Sequence, residues 1–127
     1  MTMAEGVLRT DALTARDGRL TVAVHLPWYR SLPISCLEAL DVRVDDAPAV
    51  VRSVSVPDFT GDVAEAGASD AAWDLRDPLN VSLDLAAQPG DTHQLEVAVA
   101  VRIPYIQQAP GVPLVQRTTV RTEGTVQ

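Results

Sequence analysis

LTVAVHLPWYRSLPISCLEALDVRVDD, residues Leu20–Asp46, alternates in period two on either side of a polar bend. Leu20, Val22, Val24 and Leu26 recur on one side of the bend, and Leu40, Val42 and Val44 on the other. Strands that bury one face and leave the other wet read this way. The bend itself carries Trp28, Tyr29, Arg30, Pro27 and Pro33, too polar and too proline-rich to be core. A chemically loaded loop on a plain β scaffold is where function usually resides.

The same alternation recurs outward from this stretch. Asp45-Asp46-Ala47-Pro48 supplies turn chemistry for a hairpin, with Val50–Val56 as the expected partner strand and Val50, Arg52, Val54 and Val56 on one face. Leu79, Val81, Leu83 and Leu85 alternate next, then Gln88-Pro89-Gly90-Asp91 turns the chain. The longest expected strand runs from Gln94 to Ile103, with Leu95, Val97, Val99, Val101 and Ile103 inward, and Pro104 interrupts it. QQAPGVPLV then reads as a proline-rich loop and Val115–Thr122 as a last strand. Val7–Thr10 suits a short first strand, ended by turn-prone residues through Gly18. ISCLEAL fits a helical turn or the approach to a strand. Pro57–Pro78, with Phe59 and Trp73, breaks the rhythm and is expected to be an irregular loop.

Short strands punctuated by turns predict an all-β, antiparallel β-sandwich, jelly-roll or Ig-like, as a single domain over 1–127, with 1–6 and 123–127 frayed. A chain of 127 residues buries roughly two-thirds of its unfolded surface. Val, Leu and Ala dominate a 46% hydrophobic composition, which makes the core aliphatic. Lysine is absent and the net charge is −7, which argues against nucleic acid, since phosphate binding needs clustered positive charge. MTMAEGVLRT lacks a charged-then-apolar leader, and no apolar run approaches the ~20 residues of a membrane span, so a soluble, cytoplasmic protein is expected. Cys36 is the lone cysteine, which excludes an internal disulfide.

No catalytic set emerges from the residues. His25 and His93 form no His-x-His or HExxH pair, so no metal ligand is assigned. Cys36 has no signature around it and reads as a small buried hydrophobe. No GxSxG elbow or glycine-rich phosphate loop occurs. Asp74 and Asp77 flank a short loop beside Trp73 and are compatible with carboxylate-pair glycoside cleavage, though acids this close more often form turns. Trp28, Tyr29 and Arg30 in the bend, with Arg102 and Tyr105 at the end of the long strand, are residue types enriched at interfaces. Trp73 reads as a plug for the core.

PWYRSLPISCLEALDVRVDD, the tryptophan of AAWDLRDPLNVSLDL, and GDTHQLEVAVAVRIPYI, in that order over Leu26–Ile106, resemble the small beta subunit of bacterial C-glycoside deglycosidases. Asp46 stands where that family has a hairpin glycine, and Asp91-Thr92 lengthens the approach to His93. The resemblance implies a larger TIM-barrel alpha subunit that holds a divalent metal, manganese, together with the catalytic base. It implies a 3-keto C-glycoside substrate and carbon–carbon cleavage by β-elimination of a phenolic aglycone. On that reading Trp28, Tyr29, Arg30, Arg102 and Tyr105 are interface or substrate-proximal residues, and Leu32, Pro33, Ser35, Trp73 and His93 are structural. The chain itself would hold no catalytic residue, metal or cofactor, and would bind neither nucleic acid nor membrane. The competing reading is a stand-alone carbohydrate-binding or protein-interaction β module.

Overall fold

The computed structural model describes residues 6–9 and 11–127. The chain is mostly antiparallel β. Its strands are β1 (Leu13–Arg16), β2 (Arg19–Val24), β3 (Leu32–Pro33), β4 (Leu37–Val44), β5 (Ala47–Ala49), β6 (Val51–Val56), β7 (Phe59–Gly61), β8 (Ala72–Trp73), β9 (Leu79–Ala86), β10 (Thr92–Ala109) and β11 (Val112–Thr125). A 3-10 turn at Ile34–Cys36 and a single-turn helix, α1 (Val63–Ala66), complete the elements. One sheet has the order β1-β2-β9-β6-β7, a second β11-β10-β4-β5, and β3 pairs with β8 alone. Among the described residues no helix is long and apolar enough to cross a membrane.

Alternation fixes which face of each strand turns inward. Leu20, Val22 and Val24 of β2, Leu79, Val81 and Leu83 of β9, and Val54 and Val56 of β6 are buried. Leu95, Val97, Val99, Val101 and Ile103 of β10 and Val42 and Val44 of β4 join them in one apolar cluster. Because a one-residue slip would turn every one of these side chains outward, this pattern pins the register as well as the core.

Turn chemistry sets the connections. Asp17 and Gly18, at φ 53° and 74°, join β1 to β2, and Asp45 and Asp46, at φ 52° and 65°, join β4 to β5. Two consecutive left-handed residues make the hairpin turn whose twist matches its strands. Gly can adopt this conformation freely, whereas Asp46 does so at a cost.

Several sequence expectations give way to tertiary context. Gly6–Arg9 turns instead of extending, although Val7 is fully buried and its carbonyl accepts from His25 N at 2.8 Å; Thr10 lies outside the described residues. The first strand is β1, inside the segment read as turn-prone. Val50–Val56 does not complete the β4 hairpin. The three-residue β5 does so, Val50 is 65% exposed, and β6 crosses to the other sheet to pair with β7 and β9.

Pro57–Pro78 is ordered by β7, α1 and β8. Asp62 and Glu65 cap α1 reciprocally, each side chain accepting from the other's backbone N–H at 2.6 and 3.0 Å. Pro104 does not end β10. Pairing with β4 stops at Val101, and the β11 register shifts between Ile103 and Gln107, so the missing proline donor falls in an irregular stretch of the ladder. Gln107–Val115 is a hairpin turning at Gly111, whose φ is +75°. Residues 123–127 are not frayed: Val126 is buried, its N–H donates to Asp91 O at 2.7 Å, and Gln127 N donates to Leu13 O at 3.0 Å.

Candidate functional site

Three segments distant in sequence meet at one end of the molecule. β2 ends at Val24, and after His25 and Leu26 the chain enters the Pro27–Arg30 bend. The bend is then tied down twice: Leu32 pairs with Trp73 in the short β3–β8 ladder, and Ile34 N donates to Ala71 O at 2.7 Å. Ser31 Oγ accepts from Leu75 N at 3.0 Å, which brings the loop after β8 alongside. The third segment is the β10–β11 tip. Tyr105 Oη accepts from Trp28 Nε1 at 2.5 Å, across 77 residues of sequence.

The aromatic residues at this end are strongly exposed. Tyr29 is 75% exposed and Tyr105 54%, while Trp28 is half-buried with its ring 5.3 Å from that of Tyr29 and tilted by 53°. Ile106 and Leu75 are exposed too. Tyr105 and Ile106 fall where the β10–β11 register shifts, between Ile103 and Gln107. Both are exposed because the tip projects past the shared core. Exposed apolar groups gathered at one place, unlike scattered ones, mark an interaction surface.

The five expected interface residues divide. Trp28, Tyr29 and Tyr105 come together. Arg30 is exposed on the same bend and makes no ion pair among the described residues. Arg102 turns to its own chain, donating to Glu38 Oε1 at 2.5 Å and to the Ser35 carbonyl at 3.3 Å. It thereby braces the 3-10 turn that leads into β4. Leu75 and Ile106 escaped the sequence reading; the only signal for Ile106 was its place beside Tyr105, before a proline-rich turn.

The other residues singled out in the sequence lie within or against the scaffold. Leu32 is buried under the bend, Pro33 is exposed beside it, and Ser35 lends its carbonyl to Arg102. Trp73 is 1% exposed and sits in the core, delivered there by the β3–β8 ladder. His93 Nδ1 lies 2.7 Å from Asp45 Oδ2, and Gln94 N donates to Asp45 Oδ1 at 2.9 Å. These bonds latch the β4–β5 turn onto β10, and the His93 hydrogen bond, followed by that from Gln94, lowers the Asp45 pKa.

Asp74 accepts from Arg76 N at 2.8 Å and Arg76 Nε at 3.1 Å, and its carbonyl accepts from Asp77 N. Hydrogen bonding by Arg76 holds the Asp74 carboxyl below its ordinary range. A general acid for glycoside cleavage needs the opposite displacement. Burial lowers the His25 pKa, assisted by Arg9 and opposed by Asp11, and burial pushes the Cys36 thiol up, against Arg102. Among the described residues no three His, Cys, Asp or Glu side chains gather where they could hold a metal ion.

Fold and site together define a small antiparallel β protein that presents one exposed aromatic end built from three segments. No family model matches the chain. It is 34% identical over 114 residues to a 3'-dehydrocarminate deglycosidase beta subunit from a Microbacterium species, covering 87% of this chain and 85% of that one. It is 33% identical over 106 residues to a C-glycoside deglycosidase beta subunit from Microbacterium trichothecenolyticum, covering 80% and 76%. A C-glycoside deglycosidase beta subunit from Arthrobacter globiformis is 28% identical over 130 residues, covering 94% and 95%. The chain belongs to the C-glycoside deglycosidase beta-subunit family.

Proposed function

We propose that this chain is the non-catalytic subunit of a heteromeric C-glycoside deglycosidase and docks through its aromatic end beside the active-site mouth of a larger TIM-barrel subunit. The observation that carries the reading is the convergence of Trp28, Tyr29 and Tyr105 into one exposed aromatic cluster. Tyr and Trp contribute large contact area at little entropic cost, and such residues form the energetic centres of interfaces. Arg30 beside them, which makes no ion pair among the described residues, offers its guanidinium to a partner carboxylate at the rim. The names of the relatives, beta subunits, agree with a life in a complex.

The reaction assigned to the complex is cleavage of a 3-keto C-glycoside. The C3 ketone acidifies the proton on C2, and a base on the partner removes it. The C1–aryl bond then breaks as a C1–C2 double bond forms, and the departing aryl carbon takes up a proton. A divalent metal in the partner, manganese on the family reading, would polarise the ketone oxygen. Carbon leaves poorly, so the phenolic ring must be activated and water kept out. Covering the site is the task assigned to this subunit. Inward residues of both sheets meeting in one cluster further support a face-to-face sandwich for its architecture.

The test is co-expression of the full chain with neighbouring reading frames, followed by affinity purification. Recovery of a barrel-sized, metal-binding companion in stoichiometric amount is expected. Recovery of no companion, with a stable monomer that binds sugars by itself, would overturn the reading in favour of a stand-alone carbohydrate-binding module.

A further inference from the structure

β11 is the outer strand of its sheet, and it is unusually long for one. Its register with β10 runs through twelve consecutive pairs without a shift, from Thr92 opposite Thr125 to Ile103 opposite Leu114. Past the strand, Gln127 exchanges bonds with Leu13 and Ala15 of β1. Between 114 and 125, no backbone hydrogen bond joins the far edge to another segment among the described residues.

Bare edges template pairing with other chains, and proteins normally blunt them with bulges, proline, lysine or shortness. The other outer strands follow that rule: β5 and β7 have three residues each and β1 has four. β11 relies on charge alone, and its charges, Arg117, Arg121 and Glu123, are of both signs; its one proline, Pro113, stands near its start, and the register shifts lie between Ile103 and Ala109.

We propose that β11 pairs antiparallel with β11 of a second copy of this chain, about a twofold axis at Val120, fusing two four-stranded sheets into one of eight strands. Charge complementarity and length of overlap together select the partner and the register. Arg117, Thr119, Arg121 and Glu123 form the outward row of the strand, opposite the face that Val120 and the buried Thr118 turn toward the core. Centring on Val120 sets Arg117 against Glu123 of the second copy, and symmetry repeats the pair. Centring one residue earlier, on Thr119, sets Arg117 against Arg121 twice, and like charges directly opposite destabilise a sheet.

Arg117 makes no ion pair among the described residues, so its guanidinium is available. The half-buried Val120 would meet its own symmetry mate. Such an interface is isologous and closed, which makes a dimer and not a fibre. The axis at Val120 lies opposite Val97, well along β10 from Tyr105, and the outer edge of β11 is not the end that carries Trp28 and Tyr29, so the pairing stands or falls independently of the docking reading.

Sedimentation velocity on the isolated full chain, over about a hundredfold range of concentration, tests the pairing. A concentration-dependent dimer is expected. Arg117→Glu or Glu123→Arg alone places like charges opposite each other twice and should weaken the dimer about tenfold or more. The combined R117E/E123R chain restores both pairs and should recover affinity to within about threefold. Hydrogen exchange of the unaltered chain provides a second arm, with outer-edge amides of β11 protected at dimer concentrations and released on dilution. A monomer at every concentration would overturn the proposal. So would single variants that dimerise unchanged, a double variant no better than the singles, or outer-edge amides of β11 that exchange equally fast at every concentration.

Discussion

Replacing Tyr29 with alanine removes the most exposed aromatic ring of the patch while leaving the scaffold intact. Tyrosine buries about 150–250 Å² when covered. With 75% of the residue exposed, about 150 Å² is available to a partner. At ~25 cal/mol per Å² that area is worth at most about 4 kcal/mol, and ordering costs reduce the return. Truncation of a central aromatic at an interface typically costs about 2 kcal/mol or more. The partner affinity of Tyr29→Ala should therefore fall by about 30-fold to 1,000-fold. The chain's own stability should fall by no more than about 1 kcal/mol, the worth of the tilted contact with Trp28. Titration calorimetry against the purified larger subunit measures the first quantity, and a thermal melt the second. An affinity within about twofold of the unaltered chain, with the melt unchanged, would refute the docking role of this end.

Other perturbations probe the scaffold. Asp46→Gly, which frees a left-handed turn position, should stabilise the chain by about 1 kcal/mol and raise the melting temperature by a few degrees, because the exposed Asp46–Arg121 pair it loses spans 3.9 Å; a lower melting temperature would contradict the turn assignment. Trp73→Ala should cost about 3–5 kcal/mol in a chemical denaturation curve, since a fully buried ring is removed; a loss under about 1 kcal/mol would show that the core does not depend on it. The depressed pKa of His25 means the unfolded chain binds the extra proton first, so stability should decline as pH falls below about 6.5, and His25→Gln should flatten that slope in melts followed against pH. Asp45 acts at lower pH: its depressed pKa gives stability that is present above 3.8 and lost on further acidification, an effect Asp45→Asn should remove.

The strands that bury one face were legible because period-two alternation is a local signal. Leu79–Leu85 and Gln94–Ile103 needed no knowledge of their neighbours. β1 was missed although Asp17-Gly18 between two β-capable runs is a strong hairpin signature. The partner of β4 was misassigned because a three-residue edge strand and a sheet crossing leave no periodic trace at Ala47–Val51.

Pro104 misled for a related reason. A proline is costly only where its missing donor has a partner, and that depends on where β4 stops pairing. At the aromatic end, residue type pointed to Trp28, Tyr29 and Tyr105. Their convergence, and the diversion of Arg102 to Glu38, are long-range facts that residue type alone does not carry.

Reconstitution of cleavage puts the whole account at risk in one assay. The chain by itself, supplied with manganese and a 3-keto C-glycoside, should release no aglycone. Mixed with its larger partner it should support release, and the Tyr29→Ala chain should do so only at much higher concentration. Aglycone released by this chain alone would contradict the claim that it works by covering another subunit's active site.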